Sequence, residues 1–452
     1  MQGIRAVAQM PGDPGLPGIG RLWQVVATEG FGLWEDYRRF GPIFRSRFLG
    51  RDAVVLIGPE ANRAVLQEQT GRISSYDGWG PFMEHIFGQP MMIQDGERHR
   101  RTRRLMTPAF HSTAIAAYCT TMQHILEAGF ARWCGQTNLP LHQECRKLTL
   151  LVGIRLLLGV EADAEVERIE RWYSNLLAGA TAVVRLEGRF TAYGRARSAR
   201  RQLQAMLAEI IAARRQGGAT HDALGLFLGA EVDEGEAIDP KQIADEMVHL
   251  VNGAHFTTAA ALTWAVVELA ASRQWQERLR AECREVIGTA PLEVGHLRRL
   301  TQMGWFLKEI ERFYSPAGAV LFRGVREGFD FGGYHIPAGW QVVVSPHVTH
   351  RLPELFGDPD RFDPDRFAPP REEDRKDPYA LIGFGAGPHV CIGREFALME
   401  LKIALVLLLS RYDWSITPAE SAVTPHYFPA RVRDRYRAHF RPLAGTQNST
   451  TA

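Results

Sequence analysis

Cysteine is scarce in this chain: Cys119, Cys134, Cys145, Cys283 and Cys391 are all there is in 452 residues. The number is odd and no Cys-x-x-Cys spacing occurs, which excludes a disulfide framework and a structural zinc site. Four of the five fall in stretches that read as helix, where a free cysteine is ordinarily a small buried hydrophobe. Long apolar runs are missing as well. Residues 1–20 have no core for a signal peptide or anchor, and later stretches such as 261–271 and 404–410 are short or carry a charge. A cytoplasmic protein with no membrane anchor is therefore expected. Charge of one sign is lacking too. The balance is +2 and the arginines are dispersed, so no nucleic-acid partner is expected. No Gly/Ser-rich or like-charged linker divides the chain, so residues 21–443 read as one domain, between a Pro-rich lead-in (1–20) and a polar tail (444–452).

What is present is mostly helical pattern. A first helix is expected around Trp34 to Phe40, and then two alternating apolar runs joined by Gly50-Arg51-Asp52, which predict a hairpin. Residues 72–95 read as irregular, aromatic and Met-rich. From about 97 to 315 apolar residues recur at helical spacing, with arginine and glutamate between them. After Pro316 short strands separated by Gly and Pro are expected, then a turn-rich stretch over 351–390, a helix from about Gly393 to Leu409, and further short strands. The fold class is mainly α with a small β subdomain.

The segment from Phe384 to Ala397 differs from the surroundings of the other cysteines. Gly385 and Gly387 precede Cys391, and Gly393 opens a helix. Glycines allow tight turns, and free N–H groups at a helix start point toward an anion, so a thiolate at Cys391 could be stabilised here. A lone cysteine beside glycine is ordinarily structural. Phe384, Gly387, Cys391 and Gly393 in the register FxxGxxxCxG are much more specific. They resemble the haem-binding signature of the cytochrome P450 family.

That resemblance implies the cytochrome P450 fold, haem b (iron protoporphyrin IX) as cofactor, Cys391 as axial ligand of the haem iron and Phe384 as a cover over the sulfur. An axial thiolate pushes electron density toward the O–O bond of iron-bound dioxygen. The family usually places arginine where His389 stands, and either side chain can donate to a haem propionate. Glu309 and Arg312, three apart on a predicted helix, resemble the buried Glu-x-x-Arg of the family, and Arg366 in PDRF its third, structural member. By charge pattern alone they would be a surface pair. His99 and Arg103 share a helix face at i and i+4 and resemble the propionate-binding positions of the family's C helix, with Arg323 a further propionate ligand. The other arginines of this helix are candidates to face an acidic redox partner.

Residues 249–270 resemble the helix that crosses the haem on its oxygen side. Gly253 and Ala254 leave room for dioxygen, and Thr257 is placed to hydrogen-bond it, although a mid-helix threonine can equally bond back to its own turn. The acid of the family pattern is missing, and Phe256 stands in its place. Phe256 cannot relay a proton, and adjacent His255 points about 100° away on a helix. A water chain, or a substrate hydroxyl or carboxylate, would have to deliver protons. By resemblance the substrate pocket is lined by Phe82, Phe87, Met91, Leu250, Gly253, Val320 and Phe428, although aromatic and Met clusters are more often core.

The resemblance thus implies a haem-thiolate monooxygenase that hydroxylates, or oxidises in a related way, a lipophilic small molecule such as a terpenoid, polyketide or fatty acid. Electrons would come from a separate ferredoxin or flavodoxin with its reductase. Phe256 leaves two rivals open: a peroxide-driven peroxygenase, and a haem-thiolate catalyst of cyclisation or rearrangement. A more distant rival is a non-enzymatic haem sensor or ligand carrier.

Overall fold

The computed structural model describes residues 4–15, 31–48, 50–68, 70–180, 185–217, 220–233, 235, 238–317, 320–417 and 435–443. Six helices bear on the site: α1 (Ser75–Phe87), α2 (Gly96–Met106), α3 (Leu141–Gly153), α4 (Pro240–Ala271), α5 (Thr301–Tyr314) and α6 (Arg394–Arg411). Helix α4 is apolar almost all round, the mark of a helix packed on every side. From Thr258 to Leu269 every residue is buried. By length and composition it could cross a membrane, but 67% of its most apolar window is buried inside the protein, as in a core helix. Helix α4 packs on α3, α5 and α6.

The β subdomain is a five-stranded sheet of β1 (Ile43–Phe48), β2 (Arg51–Leu56), β3 (Ile73–Ser74), β4 (Leu321–Val325) and β5 (Gln341–Val344), in the order β1-β2-β5-β4-β3. The predicted hairpin is there, with Ile43 opposite Leu56 and Phe48 opposite Arg51. Part of the lead-in follows the sheet: Arg45 donates its N–H to the Pro11 carbonyl at 2.8 Å.

The expectation of an irregular 72–95 is overturned, because α1 occupies most of it. Gly78, Gly80 and Pro81 lower intrinsic helix propensity, which is why the pattern reads as loop. Tertiary contacts override it. Ser74 caps the helix by accepting from the Asp77 N–H at 2.9 Å, and Asp95 accepts from the Ser75 N–H at 2.7 Å and from the Ser74 hydroxyl at 2.5 Å. Gly78 is required by close approach: a Cβ there would lie 2.6 Å from the Arg323 Cα and the Phe322 carbonyl oxygen.

Candidate functional site

The Cys391 loop is closed by its own backbone. The Cys391 N–H donates to the Phe384 carbonyl at 2.8 Å, and the Arg103 Nη1 donates to the Val390 carbonyl at 2.8 Å. Gly385 and Gly387 adopt positive φ of 71° and 65°. At Gly387 a Cβ would also stand 2.1 Å from the Leu66 carbonyl oxygen, so this signature glycine is fixed by packing as well as by conformation. Cys391 is exposed by area, whereas Cys119, Cys145 and Cys283 are buried. Yet it lies deep in the protein, where burial raises its thiol pKa. The two facts agree if the sulfur's open area faces interior space rather than bulk water. The Gly393 N–H, Arg103 and Arg394 favour the thiolate, while Glu311 opposes it. The expected N–H donation is therefore present, but the loop's own groups do not outweigh burial. Phe384 lies 5.7 Å from the Arg394 guanidinium, a cation–π contact.

Four donors from three segments converge at the loop: His99 and Arg103 of α2, Arg323 of β4, and His389 of the loop itself. His99 of α2 is buried and stacks on His389 with ring centroids 3.9 Å apart. The His389 Nε2 and the Ser75 hydroxyl are 3.2 Å apart. Burial, then Arg323, His99 and Arg103, lower the His389 pKa to about 2, and burial with Arg103 brings His99 to about 4. Both imidazoles are thus neutral. Arg323 is only 8% exposed and its guanidinium donates to the Phe322 carbonyl at 2.9 Å. Among the described residues it has no carboxylate partner within ion-pair distance, and the His99 Nε2 has no hydrogen-bond partner. Asp95, the nearest acid, is engaged by Ser74, Ser75 and Arg326. The buried Arg323 guanidinium, the half-buried one of Arg103 and an orphaned imidazole, without an acid, fit a dianionic guest such as the propionates of haem.

Helix α4 opens onto the interior along one stretch. His249, Leu250, Asn252, Gly253, Ala254, Phe256 and Thr257 are half-buried, though the helix is central. A Cβ built on Gly253 meets nothing within 4 Å, so this glycine borders open space. The Thr257 hydroxyl donates to the Gly253 carbonyl at 2.9 Å, the back-bonded arrangement, which leaves its lone pairs free to accept. His255 is turned away as expected. It is 1% exposed, its Nδ1 is 3.1 Å from the Thr149 hydroxyl of α3, and its pKa is lowered to about 3 by burial and Arg146. Phe256 therefore has no acid–base substitute in its neighbour.

Glu309 and Arg312 are not a surface pair, for both are wholly buried. The Arg312 Nε and Nη2 donate to Glu309 at 2.7 and 2.8 Å, and Arg366 joins them at 3.1 Å. Glu373 completes the group at 2.8 Å from Arg366 and was not legible in the sequence, since a 3₁₀ turn in a charged stretch gives no period. Another unforeseen residue is Glu311, between the signature pair, which accepts from the backbone N–H groups of Gly383 and Phe384 at the root of the cysteine loop. Burial raises its pKa to about 7.

The pocket candidates separate. Phe87 is buried and meets His249 edge to face, with centroids 5.7 Å apart. Met91 and Leu250 are partly buried against the main core. Phe82 stacks on Phe322 at 5.3 Å, and Val320 packs on the core of the β subdomain, so both lean toward the sheet. Phe428 lies outside the described residues.

A sequence model of the family described as Cytochrome P450 matches residues 10–433. Among curated proteins, the chain is 28% identical to a putative cytochrome P450 120 of Synechocystis sp., over 96% of this chain and 97% of that protein. It is 31% identical to abscisic acid 8'-hydroxylase 1 of Oryza sativa subsp. japonica, over 91% and 86% of the two chains. Among solved structures, retinoic acid-bound cyanobacterial CYP120A1 superimposes with a TM-score of 0.86 at 27% identity, covering 97% of this chain and all of that one.

Proposed function

Since the chain belongs to the cytochrome P450 family, and is with it a haem-carrying monooxygenase, we propose that Cys391 would hold the haem iron through its thiolate and that the substrate is a lipophilic small molecule. The observation that carries the ligand assignment is a thiol open to interior space, deep in the protein, beside four donors that lack an anion. When bound, haem supplies an iron at which dioxygen is activated, and a thiolate ligand favours O–O cleavage. His99, His389, Arg103 and Arg323 would hold the propionates, and the buried Glu309, Arg312 and Arg366 fix the segments around the loop. Gly253 and Ala254 keep the oxygen side open, and Thr257 offers a hydroxyl there as acceptor. Phe256 cannot relay a proton at the position of the missing acid, so the proton path would run through ordered water or through a polar group of the substrate.

The reaction is hydroxylation or a related oxidation. Of the substrate classes open from the sequence, a terpenoid fits best, because the matched relatives act on abscisic acid or bind retinoic acid. Electrons come from a separate ferredoxin or flavodoxin and its reductase, and the enzyme works in the cytoplasm as one domain over 21–443. The test is the carbon monoxide difference spectrum of dithionite-reduced protein beside Cys391→Ala. A strongly red-shifted Soret band that the variant loses is expected. A band like that of a His-ligated haem, unchanged in the variant, would refute the assignment.

A further inference from the structure

We infer that His249 is a specificity-determining residue that holds a hydroxyl or carbonyl oxygen of an otherwise lipophilic substrate. The inference rests on the monooxygenase reading of the α4 face and deepens it. His249 precedes Gly253 by four residues and Thr257 by eight, so all three share one face of α4. By helical rise its Cα lies about 12 Å along the axis from that of Thr257. It is half-buried by area yet deep in the protein, so its open surface, like that of Gly253, faces the interior.

Its isolation is what sets it apart. The other deep histidines have polar partners or serve the donor cluster: His142 meets the Thr263 hydroxyl, His255 meets Thr149, His347 meets Arg351, His350 accepts from the Ile382 N–H, and His99 stacks on His389. His249 has no hydrogen bond among the described residues, and burial alone moves its pKa, down to about 4. Glu246, one turn earlier, is already occupied by the Met91 N–H and the Gln94 amide at 2.7 and 2.8 Å. The edge-to-face contact with Phe87 sets the ring plane without satisfying either nitrogen.

A neutral imidazole offers one N–H and one lone pair. That pair of functions suits a hydroxyl, which accepts and donates, or a carbonyl, which accepts. It does not suit a carboxylate, which would want a cation. Phe87, in ring contact with His249, and Leu250 beside it are apolar, so a polar contact at His249 would orient a greasy skeleton. Pairing a polar atom that otherwise stays unsatisfied is the strongest form of discrimination a pocket has.

The experiment uses the haem-loaded full chain, its His249→Leu and His249→Gln variants, and three probes on one cyclohexenyl skeleton: β-ionol, β-ionone and the matching deoxygenated hydrocarbon. The carbon monoxide band is recorded first, because its absence in the parent protein defeats the haem-thiolate reading rather than this one. Dissociation constants then come from equilibrium dialysis. In the parent protein the alcohol and ketone should bind more tightly than the hydrocarbon by about 5- to 10-fold, the worth of one net hydrogen bond. His249→Leu should abolish that ratio with hydrocarbon binding unchanged or tighter, and His249→Gln should restore part of it. If the leucine variant fails to load haem, the glutamine variant decides, by keeping a smaller preference. Equal ratios in parent and leucine variant, no preference in the parent, or no binding of any probe would overturn the inference. So would a nitrogen-ligated ferric spectrum that His249→Leu removes, since the ring would then be an iron ligand.

Discussion

Glu400, on α6, is a carboxyl whose two oxygens are buried and have no hydrogen-bond partner among the described residues. Burial holds its pKa well above the ordinary 4.5. The folded protein therefore keeps this proton while the unfolded chain releases it above that value. Stability is fully present below pH 4.5 and falls as pH rises, by up to about 1.4 kcal/mol per unit for this one group. Glu400→Gln should remove that contribution. Urea midpoints of the haem-loaded protein at pH 5.5 and 7.5 should fall less between the two conditions in the variant than in the parent. Equal falls would mean that the carboxyl finds a partner in solution. At this scale the sequence was readable where a motif spans few residues, as for the pairing of Glu309 with Arg312 and the placing of His99 beside the Cys391 loop. It was silent on Glu311, Glu373 and His249, whose significance depends on contacts made by segments far away in the chain.

At the scale of the element, α1 shows why propensity misled. Its two glycines and Pro81 argue against a helix, and only the approach of β4 explains Gly78. With a Cβ 2.6 Å from backbone atoms of Phe322 and Arg323, Gly78→Ala must push α1 off the strand that carries Arg323. Overpacking of this kind costs about 1–3 kcal/mol. Backbone cannot yield as a side-chain tip can, so the upper end is expected here, with weaker haem retention because Ser75 and Arg323 both move. Glycine 80, whose added Cβ would meet only the Tyr76 ring at 3.3 Å, makes the matched control. If Gly78→Ala and Gly80→Ala lose haem to apomyoglobin at the same rate, the close approach does not position the donors. Helix α4 was readable for the opposite reason: its apolar residues recur at helical spacing without a breaker strong enough to end it, and its small-residue break at Gly253 marks where it opens.

The whole molecule is tied together at Arg366. Its guanidinium spans Glu309 on α5, Glu373, and the carbonyls of Gly357, Asp358 and Arg361. Arg312 adds the His350 and Pro359 carbonyls, and the His350 Nε2 accepts from the Ile382 N–H at the entrance to the cysteine loop. A turn-rich stretch with little regular structure is thereby fixed to a helix, and through it the loop that presents Cys391. Replacing a buried ion pair as a unit can be neutral, but removing one partner leaves an uncompensated charge and costs about 3–5 kcal/mol. Arg366→Met should therefore lower the urea midpoint by that amount and leave part of the haem without thiolate ligation, seen as a reduced red-shifted fraction of the carbon monoxide spectrum. Arg366→Lys keeps the charge but not the planar fork, so it should fall between. If Arg366→Met costs less than about 1 kcal/mol and the red-shifted fraction is unchanged, the cysteine loop is held by its own glycine turns and the Glu311 carboxyl, independently of the charged network behind it.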